Sequence, residues 1–304
     1  MIGRTSGSIW GTTYELGVIG GDLATAHEIF LEEVELCARV CDRFEPLSEL
    51  RELSATTGSH RVSDSLGDYL ACANLGWNFS QGLVDPLVGN ALIDLGYDCD
   101  FDLVLSRPLP EHPSTLRWNT DVSYEGYTRT LHVKTPCVID LGATAKARVV
   151  DRIVIRLYQN QLAEGVLASI GGDVMTAGKT APNGWPITVV ESAKSMNRGR
   201  TFAEISIYGG GIATSSTAVR SWGDQQTPLH HLIDPRTGLP VNSPWRQVSV
   251  LANTCFEANV AATAAHLQGE EAQEILAEKG LGALLIDHEM KAIEVGTWPR
   301  SPWW

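Results

Sequence analysis

No run in the chain approaches the roughly 18 consecutive apolar residues that a membrane-spanning helix needs, so membrane insertion is not expected. The opening segment, Met1 to Trp10, holds a single Arg among Gly and Ser and has no apolar core of signal-peptide length, which predicts a cytoplasmic protein. The cysteines Cys37, Cys41, Cys72, Cys99, Cys137 and Cys255 form no CxxC pair and have no His at zinc spacing, so an ordinary zinc site is excluded and reduced thiols are expected. Positive charge is scarce. With 23 Lys and Arg against 36 Asp and Glu, the net charge of -13 argues against nucleic acid and anionic membrane as partners. A phosphorylated ligand would have to be met by local basic residues or a metal. There is no Walker loop, dinucleotide GxGxxG, tandem repeat, low-complexity tract or obvious linker. What remains is ample apolar content, 43% of 304 residues, for a substantial core.

That apolar content is patterned. Thr13 to Gly20 reads as an opening strand that ends at Gly20-Gly21. Leu23, Ala26, Phe30, Val34, Cys37, Cys41 and Phe44 then recur at helical intervals, and Pro46 stops the stripe. On that helix Cys37 and Cys41 share a face, as small core residues do. Ser63 to Gln81 predicts a second helix closed by Gly82. Strands are expected over Thr130 to Lys134 and Cys137 to Ile139, a long helix over Ala143 to Glu164, a buried strand over Val166 to Ile170 and a strand group from Ile187 to Tyr208. The last part predicts a strand over Gln247 to Ala252, helices over Phe256 to Gln268 and Glu271 to Glu278, and a hairpin of Ala283 to Ile286 with Ala292 to Val295. The expected class is α+β, mixed sheets with packed helices forming one compact unit, residues 1–304 as a single domain.

The densest chemistry lies in His230-His231-Leu232-Ile233-Asp234-Pro235-Arg236-Thr237-Gly238-Leu239-Pro240. Pro235 keeps Asp234 out of the helical region and Thr237-Gly238 signals a turn, so the loop aims an imidazole, a carboxylate and a guanidinium. Such groups suit proton transfer, work beside a metal, or a phosphate contact. The plainer reading is a self-bonded surface turn, and four further segments weigh against it. In Asp140-Leu141-Gly142-Ala143-Thr144-Ala145-Lys146 a small-residue turn opens the long helix, where free N–H groups and Lys146 favour an anion, although tight packing would also select Gly142 and Ala143. Gly171-Gly172-Asp173 follows an apolar strand and permits close approach of a ligand, or merely a bulge. Ala213-Thr214-Ser215 concentrates hydroxyls on what reads as a loop, where Ser and Thr are also ordinary. Asn259 and Thr263 are four apart in a helical stretch, so their oxygens share a face. With a carboxylate or a carbonyl such as that of Ala143 they would suit Mg²⁺, whereas an Ala-rich helix with two polar residues is commonly a close packing contact.

Taken in order along nearly the whole chain, these segments resemble the FAD:protein FMN transferases of the ApbE type. The likeness includes Trp10-Gly11-Thr12, Phe44-Glu45-Pro46-Leu47-Ser48-Glu49-Leu50, Gly82-Leu83-Val84-Asp85-Pro86, Asp140 to Asp151, Ile170 to Asp173, Ala213 to Ser215, His231 to Pro240 and Asn259 to Thr263. The resemblance implies binding of FAD with Mg²⁺, cleavage of the pyrophosphate, transfer of FMN to a Ser or Thr hydroxyl of an acceptor protein, and release of AMP. It implies His231 as base or phosphate contact, Asp234 orienting its loop or touching the ligand, and Lys146 and Arg236 as electrostatic groups. Asp140, Asp173 and Thr214 would line the flavin nucleotide site with Thr12, Asp85, Gly142, Gly171, Gly172 and Ala213. Asn259, Thr263 and the Ala143 carbonyl would hold the metal. Phe44 stands where the family often has Tyr, so stacking survives and a hydroxyl contact does not. The family's metal-binding pair is usually Asp and Thr, and here the first is Asn259, a weaker ligand unless another acid helps. A hydrolase splitting FAD to FMN and AMP, and a protein that binds FAD without chemistry, are the alternative readings; Asn259 favours the latter.

Overall fold

The computed structural model describes residues 2–99, 101–104, 107–192, 199–223 and 228–299. It places helices with antiparallel sheets, the expected α+β class, in two compact units that alternate along the chain. The first unit comprises Met1–Val34, Lys146–Val219 and Pro244–Trp304; the second comprises Glu35–Ala145 and Arg220–Ser243.

The first unit is built on an eight-stranded sheet, ordered Ile2–Ile9, Thr12–Ile19, Gly165–Ile170, Asp173–Gly178, Gly210–Ser216, Trp245–Ala252, Gly282–Asp287 and Ala292–Val295, with every neighbour antiparallel. The edge strand Ile2–Ile9 is absent from the sequence reading. It pairs with Thr12–Ile19 across Trp10 and Gly11, both at positive φ, the backbone a two-residue hairpin turn requires. A separate ribbon, Trp185–Val190 with Thr201–Ile207, contributes Trp185, Val189, Ile205 and Ile207 to a core shared with Leu167, Ile212 and Leu284. The Ala-rich helix Cys255–Gln268 packs on the strands Gly210–Ser216 and Trp245–Ala252. Its buried Ala258, Ala261, Ala262, Ala264 and Ala265 let its backbone lie close to the sheet. Gly211 completes this fit, because a Cβ there would fall on the backbone of Thr254 and Cys255.

The helix that opens at Ala145 ends at Gln159 rather than at Glu164. Gln161 takes a positive φ, and Leu162 N–H turns back to the carbonyl of Leu157, so the chain leaves the helix there. Asp151 on this helix is buried, and its two oxygens accept from the backbone N–H groups of Cys255 and Phe256 at 2.8 and 3.0 Å, capping the next helix. Burial pushes the Asp151 carboxyl up to about 6 against those bonds. A carboxyl raised on folding binds its proton more tightly in the native state, so its contribution to stability is fully present below the unfolded pKa of 3.8 and is lost as pH rises through about 6. The difference in urea midpoint between wild type and Asp151→Asn is therefore expected to change between pH 4 and 7, in the direction that relatively weakens wild type at the upper end. A pH-independent difference would show that Asp151 titrates alike in both states.

The second unit holds a three-stranded antiparallel sheet, Gly58–Arg61, Thr130–Val133 and Val122–Glu125, beside the helix Asp64–Phe79. Ser63 caps that helix by accepting from Leu66 N–H, and Gly82 stands at positive φ beyond its end. The expected strand Cys137 to Ile139 is not one. Cys137, Val138 and Asp140 donate their N–H groups to Ser54 O, Asn90 Oδ1 and Pro86 O, so the segment is bonded but pairs with no strand. Two short ribbons, Ser221–Gly223 with Pro228–His230 and Ile233–Asp234 with Leu239–Pro240, anchor on Leu229 and Ile233 in a cluster with Leu92, Leu95 and Tyr97.

Candidate active site

In the first unit the glycine pair forms the two-residue turn between Gly165–Ile170 and Asp173–Gly178, with Ile170 opposite Asp173 and Gly171 at φ +64°. A Cβ on Gly171 would stand 3.1 Å from Thr12 Oγ1, and one on Gly172 would stand 3.2 Å from Thr214 Cβ. Thr12, Gly171, Gly172, Asp173 and Thr214 are thereby brought to one end of the sheet. Ala213 and Thr214 lie on the strand Gly210–Ser216, not on the expected loop.

Asn259, one turn into its helix, reaches the same place and donates from Nδ2 to Asp173 Oδ1 at 2.7 Å. Both side chains are buried, Asp173 at 2% and Asn259 at 6% exposure. Their other oxygens, Asp173 Oδ2 and Asn259 Oδ1, have no hydrogen-bond partner. Lys146 Nζ stands 3.7 Å from Asp173 Oδ2, an ion-pair distance beyond hydrogen-bond reach. Leaving a buried acceptor unsatisfied costs about 1–3 kcal/mol, more for a carboxylate, which marks these atoms as unfinished. Thr263 follows one helical turn later, its hydroxyl 2.9 Å from Ser215 Oγ, while Thr214 Oγ1 pairs with Ser249 Oγ at 2.8 Å. This donor set of one carboxylate, one amide oxygen and hydroxyls fits a hard divalent cation. Among the described residues no group of three or more His, Cys, Asp or Glu could hold a metal ion.

The second unit holds the other expected residues. In the His-Asp-Pro-Arg turn, Asp234 accepts from the Arg236 backbone N–H at 2.8 Å and from its guanidinium at 2.7 to 3.1 Å. Burial works to raise the Asp234 carboxyl, but the Arg236 hydrogen bonds and charge outweigh it and hold the group below its ordinary value. The turn is stiffened further by Gly238, at φ +70°, whose N–H donates to Asp234 O and whose missing Cβ makes room for Ser114 O. Of the adjacent imidazoles, His230 bonds Val241 O and Leu232 N–H, so it is tied into the loop, while the half-buried His231 donates its backbone N–H to Arg220 O.

Asp140 Oδ1 accepts from Gly142 N–H at 2.7 Å, a tight turn in which a Cβ on Gly142 would lie 2.8 Å from that same oxygen. The Asp140 Oδ2 atom pairs with Arg43 Nε at 2.6 Å. Arg43 lies over the rings of Phe44 and Tyr97, at 4.0 and 4.6 Å from their centroids. This arginine escaped the sequence reading; the only signal was its position just before Phe44. Ala143 is half-buried in the turn after Asp140. Asp85 is committed to its own unit, accepting from Leu87, Trp118 and Trp77. Burial raises its carboxyl despite these bonds and the nearby Arg117.

Such a sheet, with a helix set against a buried carboxylate-amide pair and a lysine beside it, defines the class as α+β. The pattern that defines the ApbE family matches residues 10–285, and the chain belongs to that family. A Klebsiella pneumoniae protein named FAD:protein FMN transferase is 29% identical over 157 residues, 52% of this chain and 45% of that one, so the match spans less than half of that relative. One of the same name from Vibrio cholerae is 27% identical over 287 residues, 90% of this chain and 83% of the other. The solved flavin transferase ApbE from Vibrio cholerae superposes with a TM-score of 0.80 at 22% identity, covering 98% of both chains, which shows the shared fold.

Proposed function

We propose that this chain is an FAD:protein FMN transferase and that residues 1–304 serve as one functional domain. The observation that carries the reading is the pair of unpartnered buried oxygens on Asp173 and Asn259, set beside Lys146 in a chain of this family. In the proposed reaction the hydroxyl oxygen of an acceptor Ser or Thr forms a bond to the FMN phosphorus of FAD. The bond from that phosphorus to the bridging oxygen breaks, and AMP departs with the bridging electrons. His231 takes the hydroxyl proton. Lys146 balances diphosphate charge, and the turn held by Asp234 and Arg236 fixes the position of His231. Phe44 offers an aromatic face to the isoalloxazine, and Asp85, Asp140 and Gly142 contribute to the same proposed nucleotide site. Thr12, Gly171, Gly172, Ala213 and Thr214 form a surface on which a nucleotide can lie close to the backbone.

Mg²⁺, held by Asn259 and Thr263, would neutralise charge on the diphosphate and its leaving oxygen. Among the described residues no helix is long and apolar enough to cross a membrane. All six cysteines are free thiols, which supports a cytoplasmic location. Chromatography of FAD incubated with the protein and Mg²⁺, with and without a candidate acceptor protein, tests the reading. Transfer requires AMP release that depends on the acceptor. Equal AMP release without acceptor would make the protein a hydrolase, and intact FAD in both arms would reduce it to a binding protein.

A further inference from the structure

The cation site assigned by resemblance lacks a carboxylate, yet the structure contains one in its place. We propose that Asp173 supplies the negative charge of that site, binding a hard divalent cation through Oδ2 together with Asn259 Oδ1; this rests on the reading above and names the acid it requires. The assignment starts from the amide. Its Nδ2 must face Asp173 Oδ1, because the flipped amide would set oxygen against oxygen at 2.7 Å. That fixes Asn259 Oδ1 as an acceptor turned elsewhere, and within the protein it meets no donor. Asp173 Oδ2 is likewise without a hydrogen bond. Two acceptor-only oxygens on side chains more than nine-tenths buried, locked to each other by the bond between their partner atoms, call for a third party that brings positive charge.

Lys146 does not fill that role alone, since its Nζ stays 3.7 Å from Oδ2. A small divalent ion takes oxygen ligands of this kind, and the Asp173 carboxylate supplies the charge that the neutral Asn259 amide lacks. The Thr263 hydroxyl, which bonds Ser215 Oγ, retains lone-pair capacity on the same helix face. The site thus keeps one carboxylate but carries it on a strand after a Gly-Gly turn, and the helix contributes the amide.

The test is a titration of the whole chain with Mn²⁺ alone, in which free ion is followed by its paramagnetic resonance signal. Wild type is expected to bind, and Asp173→Asn, which keeps the shape and removes the charge, to weaken binding roughly tenfold or more. Adding Asn259→Asp to Asp173→Asn is expected to recover most of the loss, because the charge returns to the other member of the pair. Lys146→Met is expected to tighten Mn²⁺ binding by removing a cation 3.7 Å from the ligand oxygen. Melting curves without metal establish that each variant folds, and recovery in the double variant excludes simple misfolding. Absent binding to wild type, or equal affinity in wild type and Asp173→Asn, would overturn the assignment. If Mn²⁺ binding follows this pattern while wild type leaves FAD intact, the transferase reading fails and the cation site stands. If FAD is cleaved and Asp173→Asn binds Mn²⁺ unchanged, the reverse holds.

Discussion

His231→Ala is expected to lower FMN transfer by about 10²–10⁴-fold, the range over which a positioned general base contributes, in protein that still folds and binds FAD. The two neighbouring imidazoles are expected to act differently. His230 holds the carbonyl of Val241 and the N–H of Leu232, bonds that close the loop. His231 extends from the same ribbon with its backbone tied to Arg220 and its ring half-buried, and the turn beyond it is braced by the Asp234–Arg236 pair. His230→Ala should therefore reduce stability by removing those loop bonds. Equal transfer rates in wild type and His231→Ala would remove His231 from the chemistry.

The largest expected loss of stability is at Gly211. Its Cβ would occupy the space of Cys255 N and Thr254 C, backbone atoms at the start of the helix that carries Asn259 and Thr263. A side chain can rotate away from such a clash, but a helix backbone pinned by Asp151 and capped by Thr254 cannot move without breaking those bonds. Gly211→Ala is thus expected to cost about 3 kcal/mol, at the upper end of overpacking effects, measured as a shift in urea midpoint at constant slope. A cost below roughly 0.5 kcal/mol, typical of surface changes, would show that the helix does not rest on this glycine.

Much of the scaffold was legible because local rules and tertiary structure agree. The stripe from Leu23 is a helix that ends at Cys41, short of the expected Phe44; the helix expected over Ser63 to Gln81 runs Asp64–Phe79; and the buried run at Val166 to Ile170 is an interior strand. Ile2–Ile9 was hidden because an edge strand rich in Gly and Ser carries little apolar alternation, and it is only half covered. Cys137 to Ile139 has the composition of a strand, but its hydrogen bonds go to a carbonyl, an amide side chain and no neighbouring strand. In the candidate site, residues were recognisable one segment at a time. The Asp173–Asn259 bond spans 86 positions of sequence, and no spacing rule reports a contact at that distance. Arg43 was hidden for the same reason, since its partner Asp140 lies on a distant turn.

The most direct measurement is the intact mass of a candidate acceptor protein after incubation with this chain, FAD and Mg²⁺, with AMP quantified in the same vessel. The expected result is an acceptor heavier by one FMN less one water, mapped to a Ser or Thr, with one AMP released for each adduct. AMP accumulating while every acceptor molecule keeps its original mass would contradict transfer.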